Sequence, residues 1–205
     1  MKEISKFLKI FLLFFLFFTS QVESKILSIG DPNAKITVKV FSSLTCPHCA
    51  TFHGVVFEKL KSDYIDKGLV KFEHHPFPLD LAALNAEIIL GCKDRRNTRL
   101  SPKNTERIFD LLSEIYNKQT TWAVGSDINK INKLIKKIGL SFDLTDEEMN
   151  VCLENEKLQD KILEVRIDAQ KTYKIESTPT ILVNEKKYSG KVDYKSFKKI
   201  IEKNL

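Results

Sequence analysis

Two cysteines separated by two residues, Cys46-Pro47-His48-Cys49, are the residues of this 205-residue chain whose types and spacing could do chemistry. Thiol–disulfide exchange needs one accessible thiolate and a second thiol close enough to displace it from a mixed disulfide. A cysteine at the start of a helix faces unpaired backbone N–H groups and the positive end of the helix dipole, which stabilise S⁻. The second cysteine then lies one turn in and is more enclosed, so attack and transfer fall to Cys46 with Cys49 as its partner. Pro47 suits the first helical position, where its missing N–H costs nothing. His48 can add a donor or a positive charge near the Cys46 sulfur. Stabilising the thiolate stabilises the reduced pair and makes its disulfide the stronger oxidant, about 30 mV for every 1.4 kcal/mol. Two other readings compete. A purely structural Cys46–Cys49 bridge would close a tiny loop and contribute little. A zinc site could use Cys46, Cys49 and His53, with His74 or His75 as a fourth ligand. His74 and His75 alternate across a strand, so at most one of them is expected to face the core.

These residues need elements to hold them. Residues 36–41 (ITVKVF) alternate with period two and are β-branched, which predicts a strand. Residues 47–67 predict a helix, with Phe52, Val55, Val56, Leu60 and Tyr64 inward and Gly68 as its stop. Residues 69–75 predict a second strand, ended by Pro76 and Pro78. Asp80 can cap a helix with Leu81, Leu84, Ile88 and Cys92 on its apolar stripe. Ser101-Pro102 opens another in the same way, continued by Ile108, Leu111, Leu112 and Ile115. Ser126 is expected to start a third, ended by Gly139, with Lys130, Lys133, Lys136 and Lys137 on a solvated face. Thr145 and Glu148 form a capping-box pattern. One or two helices then run to about Tyr173. Residues 180–183 predict a strand, Asn184-Glu185 a turn, residues 187–190 a short edge strand, and Asp193 the cap of a last helix. The fold class is therefore α/β: a β-α-β unit, an all-helical insertion, then helix-β-β-α.

Composition bounds the function classes. An apolar fraction of 42% excludes a disordered chain, a multi-span membrane protein and a collagen-like fibre. The net charge of +6 is spread along the chain and gives no support to a nucleic-acid partner. Lys2, Lys6 and Lys9 precede nine unbroken apolar residues, 10–18, and small residues follow. This is the layout of a secretory signal peptide, with the cut expected after Ser24. The rival is an uncleaved anchor, but a span needs about 20 apolar residues. Export places the thiols where they tend to be oxidised. Pairing Cys46 with Cys49 leaves Cys92 with Cys152. Both sit on apolar helix faces, so they are either two buried free thiols or a disulfide closing a loop of about 60 residues, worth roughly 4 kcal/mol in the chain-entropy model.

The CPHC after a strand, the helical insertion and Ser177-Thr178-Pro179-Thr180 before a late strand resemble the DsbA family of exported thiol-disulfide oxidoreductases, across essentially the whole chain beyond residue 24. The resemblance implies a thioredoxin-like domain of residues 25–79 and 165–205, interrupted by a helical domain at 80–164. It implies that Cys46 is the nucleophile, Cys49 the resolving thiol and His48 the residue that poises the couple. Pro179 would be a cis-proline facing the CPHC, with the Thr178 backbone offered to an extended substrate segment. It implies a dithiol oxidase working in the periplasm on reduced exported proteins. A DsbB-type membrane partner would re-oxidise it, and no metal or organic cofactor is needed. An extra disulfide in the helical domain also occurs in some DsbA-like proteins. Two positions depart from the family pattern. Val40 stands where some members carry a buried glutamate, and Thr178 replaces the valine of the best-known strong oxidants and is shared with isomerase-like members. Isomerases of this fold usually dimerise through an extra domain. With about ten residues between the signal and the first expected strand, a monomer is expected.

Overall fold

The computed structural model describes residues 26–96 and 102–205. The signal segment and Ser101 lie outside the described residues. Among the described residues, no helix is long and apolar enough to cross a membrane.

Among the described residues, five strands form one sheet in the order β1-β3-β2-β4-β5. Strand β2 (Ile36–Ser42) and β3 (Val70–Pro76) run parallel, with Val38 opposite Phe72 and Val40 opposite His74. Strand β1 (Leu27–Ile29) lies antiparallel on the other edge of β3. It is too short for its alternation to register in the sequence. Strand β4 (Thr180–Val183) runs antiparallel to β2, and β5 (Lys186–Lys187) antiparallel to β4. The edge strand is thus shorter than the expected 187–190, although the Tyr188 N–H still reaches the Ile181 carbonyl at 2.8 Å. The turn before it carries Asn184 and Glu185 at φ 46° and 67°. Asn184 reaches back to the backbone N–H of Thr37 at 2.9 Å and so ties the turn to β2.

Helix α1 fills 47–65, between β2 and β3. It is α-helical at Pro47–Phe52, π-helical at His53–Phe57, α-helical at Glu58–Leu60 and π-helical again at Lys61–Ile65. The wider turns change which residues face in. His53, Val56, Phe57, Leu60, Tyr64 and Ile65 are buried, whereas Val55, expected inward, is 43% exposed. The helix ends two residues before the expected position. Gly68 then takes φ 72°, a left-handed conformation favouring glycine, and the Leu69 N–H bonds back to the Tyr64 carbonyl at 2.9 Å.

The insertion holds α2 (Leu81–Arg96), α3 (Pro102–Asn117), the short α4 (Gln119–Trp122), α5 (Ile128–Leu140), α6 (Asp146–Leu153) and the first part of α7 (Glu156–Tyr173). Helix α7 crosses position 164 without a break. Asp80 caps α2 through the Ala83 N–H at 2.7 Å. Leu81 is not on the buried stripe: it lies in the first turn and is exposed, while Ala83, Ala86, Glu87, Ile88 and Ile89 bury the helix on several sides. Asp127, one residue after the expected Ser126, caps α5 by accepting from Asn129 and Lys130 at 3.0 and 3.2 Å. Gly139 does not end that helix. It lies inside it, where a Cβ would stand 2.4 Å from the Met149 sulfur, so the glycine permits close packing of α5 on α6. Lys136 is paired with Asp146 at 2.7 Å and so joins the same two helices. The capping box of Thr145 and Glu148 is formed in full. Helix α8 (Tyr194–Asn204) is capped by Asp193 and buries Phe197 and Ile201 against α1.

Candidate active site

Cys46 and Cys49 sit where β2 hands the chain to α1. Cys46 is the N-cap of α1, with φ −80° and ψ 118°, and Pro47 occupies the first turn. The Cys46 carbonyl accepts from the N–H groups of Cys49 and Ala50 at 3.1 and 3.2 Å, and its own N–H bonds to the Ser43 carbonyl at 3.0 Å. Both thiols are free. Cys46 is 7% exposed and Cys49 1%, while Pro47 and His48 are exposed.

The peptide bond between Thr178 and Pro179 is cis. The Thr178 carbonyl lies 3.4 Å from the Cys46 sulfur and accepts the hydrogen of the neutral thiol. Residues 132 apart in sequence therefore meet at one sulfur. The two thiols are driven apart in acidity. Cys46 is pulled down to about 5, first by the hydrogen bond from the Cys49 thiol, then by the Thr178 side chain and the backbone N–H groups of Cys49 and His48; partial burial opposes the shift. Cys49 is pushed well up, first by desolvation and then by giving its hydrogen bond to Cys46. His48 thus acts on the sulfur through its backbone N–H, and its side chain points to solvent-exposed surface.

The histidines do not assemble around the cysteines. The His53 ring stacks on Phe57 and Tyr116, and its Nε2 is 2.8 Å from the Ser113 hydroxyl. Burial, with His74 nearby, pulls His53 down to about 3. His74 meets Glu87 at 3.0 and 3.2 Å, and His75 meets Glu73 at 3.0 Å. Both are buried, against the expectation that at most one would be, because helices cover both faces of the sheet at β3. Among the described residues no group of three or more His, Cys, Asp or Glu side chains could hold a metal ion. A cavity of about 340 Å³, lined by Leu27, Glu87, Leu158 and Ile162 among others, reaches His74 but includes no residue of the CPHC.

Cys92 and Cys152 are joined by a disulfide between α2 and α6, with Cα atoms 5.9 Å apart. Thr45 and Ser43 tie the redox loop to the start of α2: Thr45 donates to Asp80 at 2.8 Å, and Ser43 accepts from the Leu79 N–H at 3.3 Å. Gln119 of α4 also reaches this loop, and sequence reasoning missed it. It lies in a stretch without clear periodicity, and its bonds to Leu44 and Cys46 join residues 75 and 73 apart in sequence, which no local pattern announces.

The chain matches the thioredoxin family over residues 22–203. Disulfide bond formation protein D of Bacillus subtilis is 28% identical over 186 residues, covering 86% of this chain and 76% of that protein. A Rickettsia bellii relative, named provisionally as a protein-disulfide oxidoreductase, is 30% identical over 81% of this chain. The chain spans about 60% of that relative's length. The crystal structure of Wolbachia pipientis alpha-DsbA1 superposes with a TM-score of 0.76 at 28% identity, covering 87% of this chain and 90% of that one. Matched family, inserted helices and a CPHC facing a cis-proline agree, and the chain belongs to the thioredoxin family with the architecture of its DsbA-like members.

Proposed function

We propose that this protein is an exported thiol-disulfide oxidoreductase that acts as a dithiol oxidase. A substrate thiolate attacks Cys46 Sγ in the Cys46–Cys49 disulfide, the S–S bond breaks, and Cys49 leaves and takes up a proton. A second substrate thiolate then attacks the substrate sulfur of the mixed disulfide. Cys46 departs as thiolate, and two electrons have passed from substrate to protein. The observation that carries this reading is the asymmetry of the pair. The Cys46 sulfur is held by N–H groups at the start of α1 and faces Thr178, whereas Cys49 is enclosed and stays protonated. The favoured leaving group in the second step is therefore Cys46, which drives the exchange toward reduced enzyme and oxidised substrate.

The substrates are reduced exported proteins. The redox pair lies at exposed Pro47 and His48 and outside the cavity of about 340 Å³, a placement that suits an extended chain more than a small molecule. Thr178 and Pro179 bind that chain. The protein works as a monomer in the periplasm, a DsbB-type membrane partner restores the disulfide, and the cysteine pair itself carries the electrons without metal or organic cofactor. The test is the reduction potential of the Cys46–Cys49 couple, measured against glutathione. A value well above the roughly −270 mV of thioredoxin supports the oxidase. A thioredoxin-like value overturns it in favour of a reductase or isomerase, the direction in which Thr178 before the proline leans by resemblance.

A further inference from the structure

Helix α4 has four residues, yet both its end side chains are buried: Gln119 is 6% exposed and Trp122 1%. Trp122 anchors the helix by donating its indole N–H to the Ile115 carbonyl at 2.8 Å. Gln119 points the other way, out of the insertion and into the redox loop. Its Nε2 donates to the Leu44 carbonyl at 2.8 Å and to the Cys46 carbonyl at 3.1 Å. A primary amide nitrogen carries two hydrogens, and both are committed to carbonyls that flank Thr45. The Cys46 carbonyl is the one that starts α1 by accepting from Cys49 and Ala50, so the Gln119 amide is its third donor.

We propose that Gln119 is a positioning residue for Cys46, through which the helical insertion sets the reactivity of the redox pair. The inference rests on the reading of Cys46–Cys49 as an exchange couple. The thiolate is stabilised first by the Cys49 thiol, then by the Thr178 side chain and the N–H groups of Cys49 and His48, groups on two separate segments. Hydrogen bonds to a thiolate weaken steeply when misaligned, so the backbone that carries Cys46 must be held still. The loop is tied on its outer side by Thr45 to Asp80. On its inner side Gln119 supplies two bonds and so bridges residues 44 and 46. Without the amide, the Leu44 carbonyl loses the side-chain donor that reaches it, and the loop has reason to turn that carbonyl toward another donor. Cys46 then moves off its N–H groups.

Two neutral variants test this. Gln119→Met keeps length and bulk but has no N–H. Gln119→Asn keeps the amide and withdraws it by one methylene, so it reaches one carbonyl at most. The readout is the pH midpoint of the Cys46 thiolate, followed by its ultraviolet absorbance, with circular dichroism and Trp122 fluorescence reporting the fold. The expected result is a midpoint raised by about one pH unit in Gln119→Met and by less in Gln119→Asn, with the fold unchanged. If folded Gln119→Met titrates as the wild type does, the proposal is overturned. Should Gln119→Met not fold, a wild-type midpoint in Gln119→Asn overturns it equally, and a raised one supports it. The glutathione potential of the wild-type protein separates the two readings. A thioredoxin-like potential with a raised variant midpoint removes the oxidase assignment and leaves Gln119 in its role, and a high potential with an unmoved midpoint does the opposite.

Discussion

Reducing the Cys46–Cys49 pair should make the protein more stable, and the gain should depend on pH in a defined direction. Cys46 titrates at about 5 in the folded protein, against an ordinary value of 9.0. Its folded value is depressed, so between these limits the unfolded chain binds more protons, and stability rises with pH. The contribution is fully present above 9 and is lost as pH falls through 5. At pH 7 it amounts to up to about 3 kcal/mol, since each unit is worth 1.36 kcal/mol. Solvent screening at the protein surface makes this an upper bound. The same free energy raises the potential of the couple by up to roughly 60 mV. Cys49 stays protonated throughout the window and contributes nothing to the slope. The assay is urea unfolding of the oxidised and reduced forms from pH 4.5 to 7.5. The reductant is limited so that Cys92–Cys152 stays bonded, which thiol counting verifies. With an m-value of about 2 kcal/mol/M, the midpoint of the reduced form should climb by up to about 1.5 M relative to the oxidised form. Groups that titrate in both forms cancel in the comparison. Parallel midpoints across the pH range would refute the claim that the folded structure stabilises the Cys46 thiolate.

Three further outcomes are expected. Cys49→Ser, with Cys46 first converted by oxidised glutathione to its glutathione mixed disulfide, should exchange with a reduced substrate thiol, release glutathione and accumulate a Cys46–substrate disulfide seen by mass spectrometry, whereas Cys46→Ser should form none. Replacing both Cys92 and Cys152 by serine opens a loop with a separation of 60 residues and should cost about 4 kcal/mol, read as a lower thermal midpoint. His53 is buried and titrates at about 3, so it is neutral in the folded state while the unfolded chain takes up its proton below about 6.5. Its contribution is present above 6.5 and lost as pH falls toward 3, the loss reaching about 3 kcal/mol by pH 4. His53→Phe, which keeps a ring between Phe57 and Tyr116, should flatten that acid limb in denaturant titrations.

Local chemistry is legible wherever a residue acts on its chain neighbours. Cys46, Pro47 and Cys49 read as a helix start because the N–H groups that matter belong to the next turn. Asp80, Thr145 and Asp193 read as caps because each accepts from a backbone N–H three residues on. The β-branched alternation of β2 and the order of elements follow from periods of two and about 3.6 in burial. Where one of these local signals misled, the competing cause was a neighbour distant in sequence. Gly139 resembles a helix stop, yet it lies inside the helix, where a Cβ would crowd the Met149 sulfur. Val55 faces solvent because π-helical turns rotate α1, a geometry that helical spacing does not reveal. His74 and His75 are both enclosed because the sheet is covered on two sides, which no single strand announces.

By itself the sequence determined which two thiols stand one helical turn apart, which of them stands at the helix start, and what kind of fold carries them. Those properties depend on residues within one turn or one strand of each other. Only the tertiary structure decided what faces the Cys46 sulfur and what steadies the loop beneath it. Thr178 arrives from 132 residues away and Gln119 from 73, each by a carbonyl or an amide whose position is set by packing of the insertion and the sheet. The joining of Cys92 to Cys152 is of the same kind: two apolar helix faces give no pairing until α2 and α6 are packed with their Cα atoms 5.9 Å apart. Helix starts and strand alternation are written in short-range backbone geometry, whereas the acidity of a thiol is a sum over all the groups that folding brings to it.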